Sequence, residues 1–326
     1  MISVIIPHHQ ETVDIMNGCL SSLDTQLGID FNSDIEVIII NDDLSYQIKD
    51  FSKYKNIGPR IRQLFNARKG YMGISRQLGI DSSVGDYLMF IDSDDMLASP
   101  LVICDIVART KQSPQTDVFC YKFYEEVIAG DNSHKFIEHN HDFTWMFAKA
   151  YKKEFIKKNG IAFHTNVLWH EDTYFNQLLL AYNPQIETIQ FLVYVWRCLE
   201  TSITRNNKAE YTYSSLGMFI DAHDKVLEKI YKQVTPQQLQ EKVIWVTAYL
   251  YCLLSKAVMP EVKLRYRGQI EFRLGEYIHK WSKDDMLSAN SQLIASQVIQ
   301  QNADGMFLPE EGYTEFVKRV ESFSKK

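Results

Sequence analysis

The chain has 326 residues, of which 45% are hydrophobic and 23% charged, and its net charge at pH 7 is −6. This length allows one main domain with an appended second one, the composition is that of a globular protein, and the acidic balance gives no reason to expect nucleic acid as a partner. The five cysteines have no Cys-x-x-Cys spacing, so they predict reduced core residues of a cytoplasmic protein and exclude a disulfide framework or a zinc site. The N-terminus reads as a strand, not as a signal peptide.

The first third of the chain alternates strand and helix patterns. Buried strands are predicted at 2–6, 35–40, 61–65 and 87–91, and helices at 11–25, 70–80 (entered from a loop) and 100–111. Strands that alternate with helices, without an internal repeat, are typical of an α/β fold with a doubly wound sheet.

The middle of the chain is mixed, and the last third is helical. The middle predicts strands at 117–127, 135–138 and 186–196, a short basic helix at 151–158 and a helix at 171–181. Helices are predicted at 213–232, 236–259 and 262–281. The change of pattern near Asn206 predicts two domains, 1–205 and 206–326.

Three carboxylates follow the strand at 87–91 within four residues: Asp92, Asp94 and Asp95. In open α/β sheets ligands bind at the carboxyl ends of strands, which is where these acids lie. Clustered carboxylates repel one another unless a cation lies among them, and oxygen ligands suit Mg²⁺ or Mn²⁺. The alternative is an acidic, solvated turn.

Several motifs occur in a fixed order over residues 2 to 204, and together they resemble the family 2 glycosyltransferases of the GT-A fold. The family pattern is roughly Ser-Val-Ile-Ile-Pro-x-Tyr-Asn, Val-Asp-Asp-Gly-Ser, Ala-Arg-Asn-x-Gly, Phe-x-Asp-x-Asp-Asp, Gly-Glu-Asp and Tyr-x-Tyr-Arg followed by Ser-Ile-Thr. The matching segments here are 3–10, 41–45, 73–80, 90–95, 169–172 and 194–204. His9-Gln10 replaces Tyr-Asn, Leu44 replaces Gly and Gln77 replaces Asn, departures that bear on the details of base recognition and leave the expected fold intact.

The resemblance implies a Rossmann-like, nucleotide-sugar-binding GT-A domain with a helical C-terminal addition, and it assigns donor-binding roles. Asp94 would hold the divalent metal, with Asp92 beside the metal and the ribose, and Asp95 would support or contact the donor sugar. Asp42 would accept a hydrogen bond from the uracil N–H. The remaining residues expected at the nucleotide and diphosphate are Pro7, His9, Glu11, Arg76, Ser93, Arg197 and Ser202, the last two on a segment that closes over the diphosphate.

The resemblance also implies a catalytic base. Asp172 would take the proton of the acceptor hydroxyl, which implies inversion at the anomeric carbon, and Glu171 is the alternative acid. Each assignment has a structural alternative: Asp42 and Asp43 as helix caps, Glu171 and Asp172 as first-turn residues that favour the helix dipole, and Arg197 as a surface ion-pair partner. His170 and Trp169 can be a metal neighbour and a sugar-stacking ring, or buried residues of the core.

The C-terminal helices give weaker signals. Residues 243–254 carry no charge on any face, so this helix must be covered by its neighbours, by another copy of the chain or by a membrane surface. The next helix interleaves basic residues (Lys263, Arg265, Arg267, Arg273) with apolar ones, as for an anionic acceptor or lipid headgroups, or as on a solvated face.

The function expected from the sequence is a metal-dependent, inverting transfer of a hexosyl or N-acetylhexosaminyl group from a UDP-sugar. The expected acceptor is a hydroxyl of a bacterial glycan, teichoic acid or glycoprotein, and the expected place is the cytoplasm or the inner face of its membrane. Two rivals remain. A nucleotidyltransferase would need a glycine-rich, basic phosphate loop after the first strand, which 7–10 lacks, and a catalytically silent nucleotide-sugar-binding subunit would bind without turnover.

Overall fold

The structure, a computed structural model, describes residues 1–67, 71–131, 133–199, 208–256, 260–282 and 284–323. The chain divides into two compact units, Met1–Ser202 and Ile203–Lys326. All five cysteines are free, and Cys19, Cys120 and Cys252 are buried. Within the described ranges, no helix is both long and apolar enough to cross a membrane.

The strands in the first half of the first unit pair in parallel. Its strands are β1 (Ile2–His8), β2 (Ile35–Asn41), β3 (Ile61–Phe65) and β4 (Tyr87–Phe90), in the order β3-β2-β1-β4. Its helices are α1 (Val13–Asp24), α2 (Met72–Ser82) and α3 (Val102–Gln112). Because helices cover both faces, every residue of β1, β2 and β4 is buried, as the apolar runs of the sequence predict.

The second half of the sheet is largely antiparallel, so the sheet is mixed and not parallel throughout. It contains β5 (Met96–Leu97), β6 (Val118–Ile128), β7 (His134–His139), β8 (Lys149–Lys152) and β9 (Ile186–Trp196), with helices α4 (Lys153–Lys158) and α5 (Glu171–Ala181). β8 joins the halves by pairing antiparallel with β4 and β6, and β9 pairs parallel with β6 and antiparallel with β5. The α/β, GT-A-like fold class is confirmed.

One local prediction for this half is wrong, and one short strand was not predicted. Residues 151 and 152 belong to strand β8, not to the predicted helix, because Tyr151 pairs with Leu88 at the edge of β4 and its ring is completely buried. The two-residue strand β5 was not predicted, since a pairing this short leaves no periodicity in the sequence.

The second unit consists of helices in its described residues. They are α6 (Lys208–Ile230), α7 (Pro236–Leu254), α8 (Pro260–Trp281), α9 (Ala289–Asn302) and α10 (Tyr313–Phe323). Helix α7, which contains the uncharged stretch 243–254, ends at Leu254, earlier than predicted, and most of its residues are buried against the other helices of this unit. Burial within the unit therefore accounts for its composition; oligomerisation and membrane contact stay predictions.

The basic side chains of α8 have partners within the second unit. Arg265 pairs with Glu210, Arg267 with Glu271, and Arg273 with Asp221. The Lys263 ammonium donates a hydrogen bond to the Lys256 carbonyl. These contacts favour the interpretation of this stretch as a structural ion-pair surface over that of an anion-binding surface.

Glycine 79 lets α2 lie directly on β1, because a Cβ there would be 2.4 Å from the Ile5 Cγ2 atom. Gly79→Ala is therefore expected to lower the free energy of unfolding by about 1–3 kcal/mol through overpacking. Gly268→Ala is the matched control, because a Cβ on that helical residue meets nothing within 4 Å and should raise the value by about 0.5–1 kcal/mol. Urea titrations measure both; equal effects would contradict this view of the α2–β1 contact.

Candidate active site

The carboxyl ends of β1, β2 and β4 meet at one edge of the sheet. In the parallel register His8 lies beside Asn41, and the pairing of β1 with β4 ends at Ile5 and Phe90. Pro7 therefore pairs with β2 but lies beyond the part of β1 that pairs with β4. Such a position tolerates a residue without an N–H. Pro7 is buried inside β1, whereas the half-exposed His9 ring reaches the edge.

The loops after β1 and β2 are joined by hydrogen bonds. His9 Nδ1 and Asp42 Oδ1 lie 2.6 Å apart, and the carboxylate of Asp42 is nearly buried. The His9 backbone N–H donates to Glu11 Oε2 over 2.9 Å, so Glu11 shapes the loop that presents the ring. Asp43 caps the 3-10 turn Leu44–Tyr46, whereas Asp42, which pairs with His9, is not its cap.

The acids after β4 have different environments. Asp95 is buried, and its two oxygens accept hydrogen bonds from the Tyr194 hydroxyl (2.6 Å) and the Arg197 backbone N–H (2.8 Å). Burial, together with Asp94 and Asp92, raises the pKa of Asp95 well above its usual value. Ser93 is also buried. Asp95 thus holds the end of β9 through Tyr194 and Arg197, and its role towards the donor sugar stays a prediction.

Asp94 and Asp92 are the accessible acids of this group. No other residue in the described part of the chain donates a hydrogen bond to the Asp94 carboxylate. Burial raises the pKa of Asp94 to about 7, and the nearby charges of Asp92 and Glu11 act in the same direction. Carboxylates that repel one another in this way favour a cation between them.

Arg76 connects the acids after β4 with the acids that begin α5. Its guanidinium is 2% exposed; Nη2 donates to Asp92 Oδ1 over 2.8 Å, and Nη1 donates to Glu171 Oε1 (2.8 Å) and Asp172 Oδ1 (2.5 Å). Burial opposes the charge, but the attraction of the three carboxylates outweighs it and raises the pKa of Arg76. Arg76 was expected to approach a nucleotide, and in this structure it is held by these carboxylates.

The first turn of α5 places Glu171 and Asp172 at the site. His170, which precedes them, has a left-handed backbone with φ of 61°. That conformation favours glycine, the residue that the family pattern has at this position, and a non-glycine residue there is strained. The side chains of Glu171 and Asp172 are each 13% exposed, so both can be reached from solvent.

Asp172 is the better oriented of the two acids. Its Oδ1 accepts from Arg76, and its Oδ2 accepts the Met146 backbone N–H over 3.1 Å. Burial raises the pKa of Asp172 to about 8 although Arg76 acts in the opposite direction. A carboxylate fixed by two donors, with a pKa close to neutral, has the properties of a general base.

Arg197 lies beside the acids after β4. Its backbone N–H bonds to Asp95, and its Nη1 donates to the Asp94 carbonyl over 3.1 Å. A Cβ on Gly18 of α1 would be 2.9 Å from this Nη1, so a glycine there makes room for the guanidinium. Ser202, and the proposed closing segment beyond residue 199, lie outside the described residues.

The side chains at this edge can bind a divalent metal only if a bound phosphate-containing molecule supplies further oxygen atoms to it. In the described ranges no three His, Cys, Asp or Glu side chains are grouped closely enough to hold a metal ion by themselves. Mg²⁺ bound at phosphates usually takes one or two carboxylates and completes its shell with phosphate oxygens and water. Asp94 and Asp92 supply that number of carboxylates.

Two contacts at the site were not foreseen. The Tyr194 hydroxyl accepts the Asp92 backbone N–H and donates to Asp95, a connection that a buried tyrosine next to a polar strand end could have suggested. The Met146 N–H to Asp172 belongs to the backbone, so no residue type in the sequence could have revealed it.

Comparison with known proteins identifies a family and several relatives of this chain. The model of the family described as "Glycosyl transferase family 2" matches residues 3–171, more than half of the chain. Among curated proteins, the uncharacterized glycosyltransferase EpsJ of Bacillus subtilis is 24% identical over 226 residues, which are 63% of each chain. A poly(ribitol-phosphate) beta-glucosyltransferase of Bacillus spizizenii is 28% identical over 190 residues, which are 53% of this chain and 28% of that protein.

Solved structures share the fold. S. aureus TarS superposes with a TM-score of 0.65 at 18% identity, covering 92% of this chain and 53% of TarS. TarS 1–349 in complex with UDP gives a TM-score of 0.62 at 15% identity, covering 99% of this chain and 91% of that one. The matches span less than two thirds of EpsJ and of the Bacillus spizizenii enzyme. From the extent of the family match, the chain belongs to glycosyl transferase family 2.

Proposed function

We propose that this chain is an inverting, metal-dependent glycosyltransferase that transfers a sugar from a UDP-sugar to a hydroxyl of a surface glycan, teichoic acid or glycoprotein. The observation that carries the proposal is the bridge made by Arg76 between Asp92, on the donor side, and Glu171 and Asp172. Through this bridge a single guanidinium contacts both Asp92, which would lie beside the nucleotide-sugar, and Asp172, which would accept a proton. Residues 1–205 would be the catalytic domain and 206–326 a helical addition.

The donor would occupy the edge formed by the ends of β1, β2 and β4. Asp42 would accept the uracil N–H with the oxygen that now bonds to His9, whose ring would then lie against the base. Arg197, next to Asp94, would face the diphosphate and offset its charge. The fold shared with TarS 1–349, which was solved in complex with UDP, supports uridine as the nucleoside.

The reaction would be a single displacement. Asp172 takes the proton of the acceptor hydroxyl while its oxygen attacks the anomeric carbon, and the bond from that carbon to the diphosphate oxygen breaks. The bonding electrons leave with UDP, and the configuration inverts. Arg76 keeps the Asp172 carboxylate oriented, and the Met146 N–H holds its second oxygen, so the base does not need to be ordered during the reaction.

The metal would be held by Asp94, assisted by Asp92, and when bound would supply Lewis-acid stabilisation of the leaving diphosphate. Asp94→Asn is therefore expected to lose transfer activity. UDP with Mn²⁺ at about a hundredfold excess over Kd should raise the Tm of the unaltered protein by roughly 5 °C or more, but not that of the variant. Thermal shift assays measure this, with Asp14→Asn on the exposed side of α1 as the control. A shift that persists in Asp94→Asn would remove Asp94 as the metal ligand.

The function itself is tested by a donor screen. UDP- and GDP-sugars are incubated with the protein and Mn²⁺ or Mg²⁺, and release of the nucleotide is measured with and without an acceptor panel. We expect release from a UDP-sugar, faster with an acceptor, and a β-linked product from an α-linked donor. Tight UDP binding without turnover across the panel would favour the catalytically silent alternative.

A further inference from the structure

Three aromatic rings form a parallel stack beside the candidate base. The Trp145 and Phe147 rings have centroids 5.9 Å apart at an interplanar angle of 7°, and the Phe147 and Tyr194 rings are 4.4 Å apart at 4°. Tyr194 forms the inner end, where its hydroxyl bonds to Asp95. Phe147 is buried in the middle, and Trp145 is the half-exposed outer end. The stack thus runs from the donor-side acids to an aromatic surface.

Buried side chains form hydrogen bonds with the backbone of the loop that carries Trp145. The Trp145 carbonyl accepts hydrogen bonds from the Lys149 ammonium (2.9 Å) and the Asn176 amide (3.0 Å). Lys149 also donates to the Phe147 carbonyl, and the Tyr151 hydroxyl donates to the Met146 carbonyl. The half-buried side chain of Trp145 therefore lies on a loop held by hydrogen bonds, one residue from the N–H that binds Asp172.

A second tryptophan extends this surface. The Trp196 ring lies 4.8 Å from the Trp145 ring, centroid to centroid, at an angle of 51°, and it is also half-exposed. Trp196 directly precedes Arg197, whose N–H bonds to Asp95. The two indoles, called here the tryptophan platform, are thus tied to the base through Met146 and to the donor-side acids through Arg197.

We propose that the tryptophan platform, Trp145 and Trp196, is the subsite that binds the acceptor, and that the acceptor residue is a neutral pyranose and not a polyol phosphate. The inference rests on the proposed function and names its acceptor class. The C–H face of a pyranose ring is flat and apolar, so it can cover an indole while its hydroxyls remain available to a base. An open-chain polyol phosphate offers no such face.

Charge supports a neutral acceptor. The acids that contact this loop or begin α5 are Asp142, Glu171 and Asp172. Two cations lie close by, Lys149 and Arg76, and each is 2% exposed. Lys149 donates to the Trp145 and Phe147 carbonyls, and Arg76 donates to Asp92, Glu171 and Asp172. A phosphate chain would meet the negative charge of Asp142, Glu171 and Asp172 there, whereas the described cation next to the platform, Arg197, donates to the Asp94 carbonyl on the donor side.

Binding can be tested without turnover. The protein loaded with UDP and Mn²⁺ is titrated with methyl pyranosides and short oligosaccharides, and separately with oligo(ribitol phosphate), by calorimetry and saturation-transfer NMR. We expect a pyranose ligand to bind, with saturation strongest on the ring C–H protons, and the ribitol phosphate oligomer not to bind. In Trp145→Ala and Trp196→Ala the Kd of the pyranose should rise about tenfold, while the Kd of UDP stays unchanged.

Three variants serve as controls. Trp145→Leu keeps apolar volume but removes the aromatic face, so it should show the same loss even if the alanine variant folds poorly. Trp169→Ala removes the exposed indole just before Glu171, and Phe136→Ala removes an exposed ring on β7; both should bind the pyranose normally.

Several results would overturn the proposal. These are unchanged pyranose affinity in both platform variants, loss of binding in Trp169→Ala alone, or binding of oligo(ribitol phosphate) in preference to every pyranose. Failure of the proposed function has a different signature: no donor is turned over, whereas pyranose binding that depends on Trp145 remains.

Discussion

Replacing Arg76 with methionine is expected to abolish transfer and to lower the free energy of unfolding by about 3 kcal/mol, because it leaves three partly buried carboxylates without their shared cation. Asp92, Glu171 and Asp172 would then repel one another across the space that the guanidinium fills. Loss of activity should be at least about 10³-fold, since both the orientation of the base and the acids on the donor side depend on this residue.

Arg76→Lys separates the charge of this side chain from its shape. A lysine keeps the positive charge but cannot direct two donor atoms towards acids on opposite sides, so activity should stay low while most of the stability returns. Arg265→Met is the matched control, because the pair of Arg265 with Glu210 is largely exposed and should contribute less than about 1 kcal/mol. Denaturant titrations and rate measurements decide; a stable and active Arg76→Met would contradict the central place given to Arg76.

Asp172→Asn is expected to reduce transfer by about 10²-fold or more, because an amide cannot accept the acceptor's proton. UDP affinity should change little. Glu171→Gln, its matched control, also loses one contact to Arg76 but keeps Asp172 and its bond to Met146, so its effect should be smaller.

The pH dependence provides an independent test of the same base. Burial raises the pKa of Asp172 to about 8, so kcat/KM should rise with pH up to that value and then level off, since only the ionised carboxylate accepts a proton. Asp172→Asn should lose this rise. If the rise remains in that variant and disappears in Glu171→Gln, the two acids have been assigned the wrong way round.

The sequence predicts the parallel half of the sheet well because each of its strands is a short apolar run. β1, β2 and β4 are buried on both faces and lie close to the predicted bounds. The antiparallel half is harder to predict. One of the two partners of β8 is β4, more than fifty residues earlier in the chain, and four residues of strand carry too little periodicity to reveal that pairing.

The sequence by itself determined the family, the order of its motifs and which acids follow which strand, because these depend on residue types and short spacings. Only the tertiary structure decided which contacts these residues make: Asp95 bonds to the end of β9, Asp94 stays accessible, and Arg76 joins Asp92 to Asp172, which lies 96 positions after Arg76 in the chain. The Met146 N–H and the stacked Trp145 ring also reach the site only through folding. Such contacts join atoms far apart in sequence, and their distances depend on how the strands and helices pack.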